Sequence, residues 1–181
     1  MNNIDQIIND LTLEEKVSLL SGFNSWYTNK IERISIPSIK MSDGPNGVRG
    51  DSNSGKSSAC FPCAISIGSS WDLDQVKKIG VALGEEAQAK NVDVLLGPTI
   101  NIHRHPLGGR HFESFSEDPF LTGKIASNYV QGVQSQNVAA CLKHFVGNDT
   151  EFERHSISSN IDEQTLREIY LLPFEIGVKE G

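Results

Sequence analysis

Strand-like and helix-like segments alternate along this chain, and this order constrains its fold more than any other feature of the sequence. Four short apolar or β-branched segments predict strands, at residues 36–41, 64–68, 92–96 and 138–142. Several are apolar on both faces, which is typical of parallel sheets that are covered on both sides. Since parallel strands need helical crossovers, we predict an α/β fold, either part of a barrel or a doubly wound sheet.

The predicted helices begin at N-capping residues. Thr12 and Glu15 form a Thr-x-x-Glu capping box before an apolar face that ends at Ser21 and Gly22. Three further helices are predicted, from Asp72 to about Lys90, from Asp118 and Pro119 through Val133, and from Asp162 to Gly181. The long, polar, glycine-rich segments follow strands, so we expect functional groups at the carboxyl edge of the sheet.

Length and charge limit what the chain can do. Its 181 residues are fewer than the roughly 250 of a closed eightfold β/α barrel, so we predict one domain, or part of one, with about four βα units. The 16 basic and 23 acidic residues give a net charge of −7 without a basic run, which argues against nucleic acid as a partner.

The compartment is predicted from the N-terminus and the cysteines. We see no signal peptide and no apolar run long enough for a membrane span, so we expect no membrane partner. Three cysteines, an odd number, fit a reducing compartment better than a disulfide framework. We therefore expect a cytoplasmic protein.

The segment SDGPNGVRG, residues 42–50, follows the first predicted strand and holds Asp43 at the strand end. A carboxylate there can accept hydrogen bonds from two neighbouring hydroxyl groups, or it can cap its own backbone in an Asx-turn. Both interpretations remain open for Asp43 on this segment alone.

The segment that follows the third predicted strand, residues 97–119, is long, aperiodic and rich in charge and histidine. Such loops are more often functional than mere connectors. Arg110 could donate a fork of hydrogen bonds to ligand hydroxyls or hold a carboxylate, or it could form a structural ion pair with Glu113 or Glu117.

Lys143 and His144 end the fourth predicted strand, in CLKHFVGND, residues 141–149. A lysine in a buried strand is costly unless it is paired, so it is seldom there for packing alone. His144 could instead be a hydrogen-bonded core histidine. A carboxylate, a guanidinium and a Lys-His pair at one sheet edge would suit a polyol, which has donors and acceptors around its ring.

A metal site is the alternative at the same edge. His103 and His105 form His-x-His at a strand end, a metal-ligand arrangement that would need further ligands, of which His144 is the obvious candidate. Cys60 and Cys63 form Cys-x-x-Cys, but no second pair follows to complete a zinc site. Cys60 and Cys63 therefore do not predict a zinc site, and the site based on His103 and His105 stays an alternative.

In their order along the chain, the segments SDGPNGVRG, FPCAISIGSSWD, GPTINIHRHPLGGRHFESFSEDP and CLKHFVGNDTEFERHSISSNID resemble the successive blocks of glycoside hydrolase family three β-glucosidases. DEQTLREIYLLPFEIGVKEG resembles the helix that follows them, so the resemblance covers nearly the whole chain. After Lys-His-Phe the chain continues as Val-Gly-Asn-Asp, without the Gly-His-Gly-Asp stretch of the N-acetylglucosaminidase branch. His105 and His111 depart from the family pattern, which more often has small polar or Asn residues there.

The resemblance implies a partial (β/α)8 TIM-like barrel, with residues 1–181 as the N-terminal portion of its barrel domain. It implies a β-glucosidase that removes terminal nonreducing β-D-glucosyl residues from a β-glucoside or oligosaccharide with retention. It also implies that this activity needs no metal and no organic cofactor. It also implies that Asp43, Arg110, Lys143 and His144 hold the sugar, with Arg49 and Glu113 as supporting residues.

The same resemblance implies that this chain lacks the catalytic pair. A retaining enzyme needs two carboxyl groups about 5 Å apart. No Asp or Glu here matches the family's Ser-Asp-Trp-like nucleophile block, so the nucleophile and the acid/base are expected beyond Gly181, in the missing C-terminal half. The chain alone is expected to be inactive, and exposed sheet edges would favour self-association. Two alternatives are a noncatalytic sugar-binding remnant and a metal-dependent barrel hydrolase that uses His103 and His105.

Overall fold

A computed structural model describes residues 4–50 and 56–181. A parallel sheet organises the fold. Its strands are β1 (Met41–Asp43), β2 (Val94–Leu96) and β3 (Ala139–Ala140), in the order β1-β2-β3. Met41 pairs with Val94, and Val94 pairs with Ala139, so the carboxyl ends of the strands lie side by side. The chain is α/β, as predicted.

Two of the four predicted strands lie where the sequence places them. Strands β2 and β3 fall within 92–96 and 138–142. The first begins only at Met41, at the end of the predicted segment 36–41, because the residues before it form isolated antiparallel bridges, Tyr27 with Lys40 and Ile31 with Ile36.

The predicted strand at 64–68 is wrong, because Ala64–Ser69 is helix α3. Its buried residues Ala64, Ile67 and Gly68 follow the i, i+3, i+4 spacing of a helix, while Ile65 is exposed. A short apolar run does not distinguish a strand from a helix. The described residues therefore contain three strands where four were predicted.

The capping signals are confirmed. Helix α1 spans Ile4–Asp10, and the Thr12–Glu15 capping box starts α2 (Leu13–Leu19). The side chains of Asp72 and Asp118 accept hydrogen bonds from the first turns of α4 (Leu73–Ala89) and α5 (Pro119–Gln134). Two 3-10 turns, Glu32–Ile34 and His111–Glu113, lie in the loops.

The last predicted helix is interrupted. Asp162 caps α6 (Glu163–Thr165), which continues as a π-helical turn over Leu166–Tyr170 and then as α7 (Leu172–Glu180). Pro173 lies in the first turn of α7, where its missing N–H is tolerated.

The core lies between the sheet and helices α4 and α5. These two helices approach closely, because a Cβ added to Gly80 would lie 2.5 Å from the carbonyl oxygen of Tyr129. Tyr129 is fully buried, and its hydroxyl donates to the carbonyl oxygen of Pro45 at 2.9 Å. Helix α5 thereby supports the turn that follows β1. The largest fully buried apolar side chains are Leu83, Leu95, Ile100, Ile125, Val48, Val76, Val133 and Val138.

None of the helices within 4–50 and 56–181 is both long and apolar enough to cross a membrane. Cys60, Cys63 and Cys141 are free thiols, and the first two are exposed.

Candidate sugar-binding site

Three loops at the carboxyl ends of the strands form one site. Asp43 is the last residue of β1, the segment 97–119 follows β2, and Lys143 and His144 follow β3. A parallel bridge between Thr99 and Lys143 keeps the second and third loops in register just past the strands. The sheet thus brings together residues that are about 35 to 100 positions apart in the chain.

Asp43 lies between two cations. Its Oδ1 accepts a hydrogen bond from Lys143 Nζ at 2.9 Å, and its Oδ2 lies 3.7 Å from an Arg49 guanidinium nitrogen. Partial burial acts to raise the pKa of Asp43, but the hydrogen bond and charge of Lys143, together with the charge of Arg49, lower it below its ordinary value. Asp43 is therefore an ionised acceptor. An Asx-turn alone does not account for its contacts.

Arg110 forms the ion pair that the sequence left open. Its Nε lies 2.5 Å from Glu113 Oε1 and 3.2 Å from Glu151 Oε1, and Thr99 donates to the other oxygen of Glu113 at 3.3 Å. Both Arg110 and Glu113 are largely buried. This pair fixes the guanidinium plane, so the remaining N–H groups point in set directions. The structural ion pair and a ligand-binding role are compatible.

Asn101 holds His144 in one tautomer. The Asn101 side chain donates to the His144 carbonyl oxygen at 3.0 Å and accepts from the His144 backbone N–H at 3.1 Å. These two contacts orient the amide, so its oxygen, 3.0 Å from His144 Nδ1, must accept the ring proton. His144 Nε2 then accepts from an Arg110 N–H at 3.0 Å.

His144 is therefore neutral in this site. Burial and the nearby charge of Arg110 together lower its pKa to about 4, although the charge of Glu113 acts in the opposite direction. The peptide bond between Lys143 and His144 is cis.

The six predicted site residues lie together. Asp43, Arg49, Arg110, Glu113 and Lys143 all line an open cleft of about 320 Å³, and His144 contacts Arg110 beside it. The volume is at the lower end of the roughly 300 to 1,000 Å³ of small-molecule sites. The cleft offers a carboxylate acceptor and several cationic donors, which is the set that a polyol requires.

Sequence reasoning missed several residues here. Asn101 and Thr99 are buried supports of His144 and Glu113, and Cys60 lines the cleft. Arg104 pairs with the buried Asp149 at 2.8 Å and fastens the loop after Lys143 to the segment 97–119. A polar side chain at the carboxyl end of a buried strand was the available signal for Asn101 and Thr99.

The alternative metal ligands are engaged elsewhere. His103 Nε2 lies 2.9 Å from the carbonyl oxygens of both His111 and Ser114, and His105 Nδ1 accepts from the backbone N–H of Leu107. Burial, with the charge of His103, lowers the pKa of His111. Across residues 4–50 and 56–181, no three His, Cys, Asp or Glu side chains are grouped to hold a metal ion.

Comparison with known proteins identifies the family of this arrangement. Residues 1–181 match the Glycosyl hydrolase family 3 N terminal domain. The chain belongs to glycosyl hydrolase family 3. It is 56% identical to a beta-glucosidase from Rhizobium radiobacter over an alignment of 180 residues, and this alignment covers 98% of this chain and 22% of that protein. It is 50% identical to the thermostable beta-glucosidase B of Acetivibrio thermocellus over an alignment of 187 residues, and this alignment covers 99% of this chain and 25% of that protein.

Solved structures of the family share this fold. The beta-glucosidase of Kluyveromyces marxianus in complex with glucose matches with a TM-score of 0.93 and 48% identity, over 98% of this chain and 22% of that chain. Beta-glucosidase 3B of Thermotoga neapolitana, also with glucose, matches with a TM-score of 0.89 and 41% identity, over 98% and 28%. The family 3 chain described here thus corresponds to the N-terminal part of family 3 β-glucosidases and spans about a fifth to a quarter of its curated relatives.

Proposed function

We propose that this chain is the sugar-binding part of a retaining β-glucosidase, which releases terminal β-D-glucosyl residues from the nonreducing end of glucosides or oligosaccharides. The observation that carries the proposal is the cleft in which ionised Asp43 faces the cations of Arg110 and Lys143. The relatives with solved glucose complexes support glucose as the ligand.

In this proposal Asp43 accepts hydrogen bonds from two sugar hydroxyls, while Lys143 and the free N–H groups of Arg110 donate to ring or hydroxyl oxygens. His144 keeps Arg110 in place and presents its ring to the sugar. Since each of these groups would lose one hydrogen bond when its hydroxyl is missing, such a site discriminates between sugars.

Hydrolysis with retention requires a carboxylate nucleophile and a second carboxyl group about 5 Å away, which acts first as acid and then as base. Asp43 and Glu113 are both paired with cations, and neither is proposed for these roles. We propose that both groups belong to the part of the protein outside this chain. In the complete protein, the three parallel strands would be part of a (β/α)8 barrel, with the cleft at its carboxyl face.

The test uses the complete product of the gene that encodes this chain. It is assayed on aryl β-D-glucosides, and proton NMR follows the anomer that is released first. We expect turnover with β-glucose released first, and none from residues 1–181 alone. Replacing Lys143 by Met should lower kcat/KM about 10- to 100-fold, because this ratio corresponds to the free energy of one hydrogen bond to a charged group.

Lys78→Met is the matched control, because Lys78 is exposed on helix α4 and does not line the cleft. A folded complete protein without activity on β-glucosides would contradict the proposal. Release of α-glucose first would contradict retention. Saturable glucose binding without turnover by the complete protein would favour a noncatalytic sugar-binding protein instead.

A further inference from the structure

Two charged residues near the end of helix α4 are almost removed from solvent, although neither lines the cleft. The side chains of Lys90 and Glu86 are 3% and 15% exposed, and Lys90 Nζ lies 3.4 Å from Glu86 Oε1. Burying such charges costs free energy unless each is paired and hydrogen-bonded. Their contacts therefore indicate which part of the backbone the two residues hold in place.

The Glu86 carboxylate accepts hydrogen bonds from two backbone amides that are distant in the chain. Oε2 accepts from the Val48 N–H at 2.8 Å, and Oε1 accepts from the Ala59 N–H at 2.6 Å. Val48 and Ala59 are eleven residues apart in the sequence. One carboxylate thus holds the backbone at both positions.

Lys90 also contacts Val48, and it contacts Ser58, which precedes Ala59. Its Nζ donates to the Val48 carbonyl oxygen and to the Ser58 hydroxyl oxygen, both at 2.5 Å, and Ser58 in turn donates to the Val48 carbonyl. Gly50, at φ +61°, packs on the lysine stem, where an added Cβ would lie 3.0 Å from Cδ. The ammonium and the carboxylate together form a clamp, which we call the Glu86–Lys90 clamp.

The clamped residues belong to the cleft wall or adjoin it, since Ala59 itself lines the cleft. Gly47 and Arg49 flank Val48, Cys60 follows Ala59, and all three line the cleft. The Arg49 N–H also donates to the Asp43 carbonyl oxygen at 3.0 Å. A shift of Val48 would therefore move the Arg49 side chain relative to the Asp43 carboxylate.

We propose that Glu86 and Lys90 are positioning residues that set the wall of the cleft through Val48 and Ala59 without touching the sugar. The inference rests on the proposed function, since it assumes that the cleft holds a sugar. Loss of the clamp should weaken ground-state and transition-state binding alike, so KM should rise while kcat changes little.

The experiment combines amide hydrogen exchange with kinetics on the complete protein. Glu86→Ala should speed exchange of the Val48 and Ala59 amides at least about tenfold and raise KM for an aryl β-glucoside about tenfold. Glu85→Ala, an exposed neighbour on α4, is the control and should change neither quantity. Lys90→Arg keeps the charge and should therefore raise KM less than Lys90→Met does.

Glu86→Gln covers the case in which Glu86→Ala does not fold, because it keeps the shape of the side chain and one acceptor. It should leave one of the two amides protected and open the other. Unchanged exchange at both amides would overturn the inference, as would open amides with a wild-type KM. A folded wild-type protein without β-glucosidase activity overturns the proposed function instead, and the exchange measurement then still decides whether the clamp exists.

Discussion

Replacing Asn101 by Ala should destabilise the protein more than the loss of one exposed amide would. Asn101 is 2% exposed and makes three hydrogen bonds to His144, with its backbone N–H, its carbonyl oxygen and its ring Nδ1. Each bond is worth about 1 kcal/mol net, and the partly buried backbone groups of His144 would lose their partner. We expect the free energy of unfolding to fall by about 3 kcal/mol.

Urea unfolding of the chain, monitored by circular dichroism, measures this loss. Asn128→Ala is the control, because Asn128 makes one hydrogen bond, from its side chain to the Lys124 carbonyl oxygen at 2.9 Å. It should cost about 1 kcal/mol or less. Nitrogen NMR of the His144 ring supplies a second readout, since the proton should stay on Nδ1 in the wild type and lose this preference in Asn101→Ala.

An Asn101→Ala loss no larger than that of Asn128→Ala would refute this reasoning about Asn101. An Nε2–H tautomer in the wild type would refute it as well, because Nδ1 would then carry no proton to donate to the Asn101 oxygen. Either result would mean that the His144 ring is held by other contacts.

Three further predictions concern the cleft and its supports. Asp43→Asn removes the charge that pairs with Lys143 and weakens the two proposed hydrogen bonds from sugar hydroxyls to Asp43. Calorimetry on the complete protein should therefore show at least about a 100-fold loss of glucose affinity, and a loss below about tenfold would count against Asp43 as a ligand. His144, with its pKa lowered to about 4, should stay neutral by NMR at pH 5. In the unfolded chain His144 takes up a proton near pH 6.5, so the contribution of neutral His144 to stability should be complete above about pH 6.5 and decline as the pH falls toward about 4. Titration of His144 near pH 6.5 in the folded protein would contradict this. Tyr129→Phe removes the hydrogen bond to Pro45 and should lower the free energy of unfolding by about 1 kcal/mol in a thermal melt, whereas an unchanged melting temperature would show that the bond contributes nothing.

Features whose interacting groups lie close together in the chain were predictable from the residues alone. Thr12, Asp72, Asp118 and Asp162 cap helices because an N-cap needs only a side-chain oxygen and an amide two or three residues ahead. The sequence also predicted a shared site for Asp43, Arg110 and the Lys-His pair. Carboxyl ends of parallel strands share one edge, so polar loops that follow strands converge whatever the detailed packing.

Features whose interacting groups are distant in the chain depend on how the whole chain packs. Ala64–Ser69 is a helix because its buried face packs against the loop at Phe115, and nothing within a six-residue apolar run distinguishes that outcome from a strand. Asn101 meets His144 across 43 positions, and Glu86 meets Val48 across 38. A buried polar group needs a partner, but the sequence does not say which one, because the approach of the two groups is set by the packing of whole strands and helices.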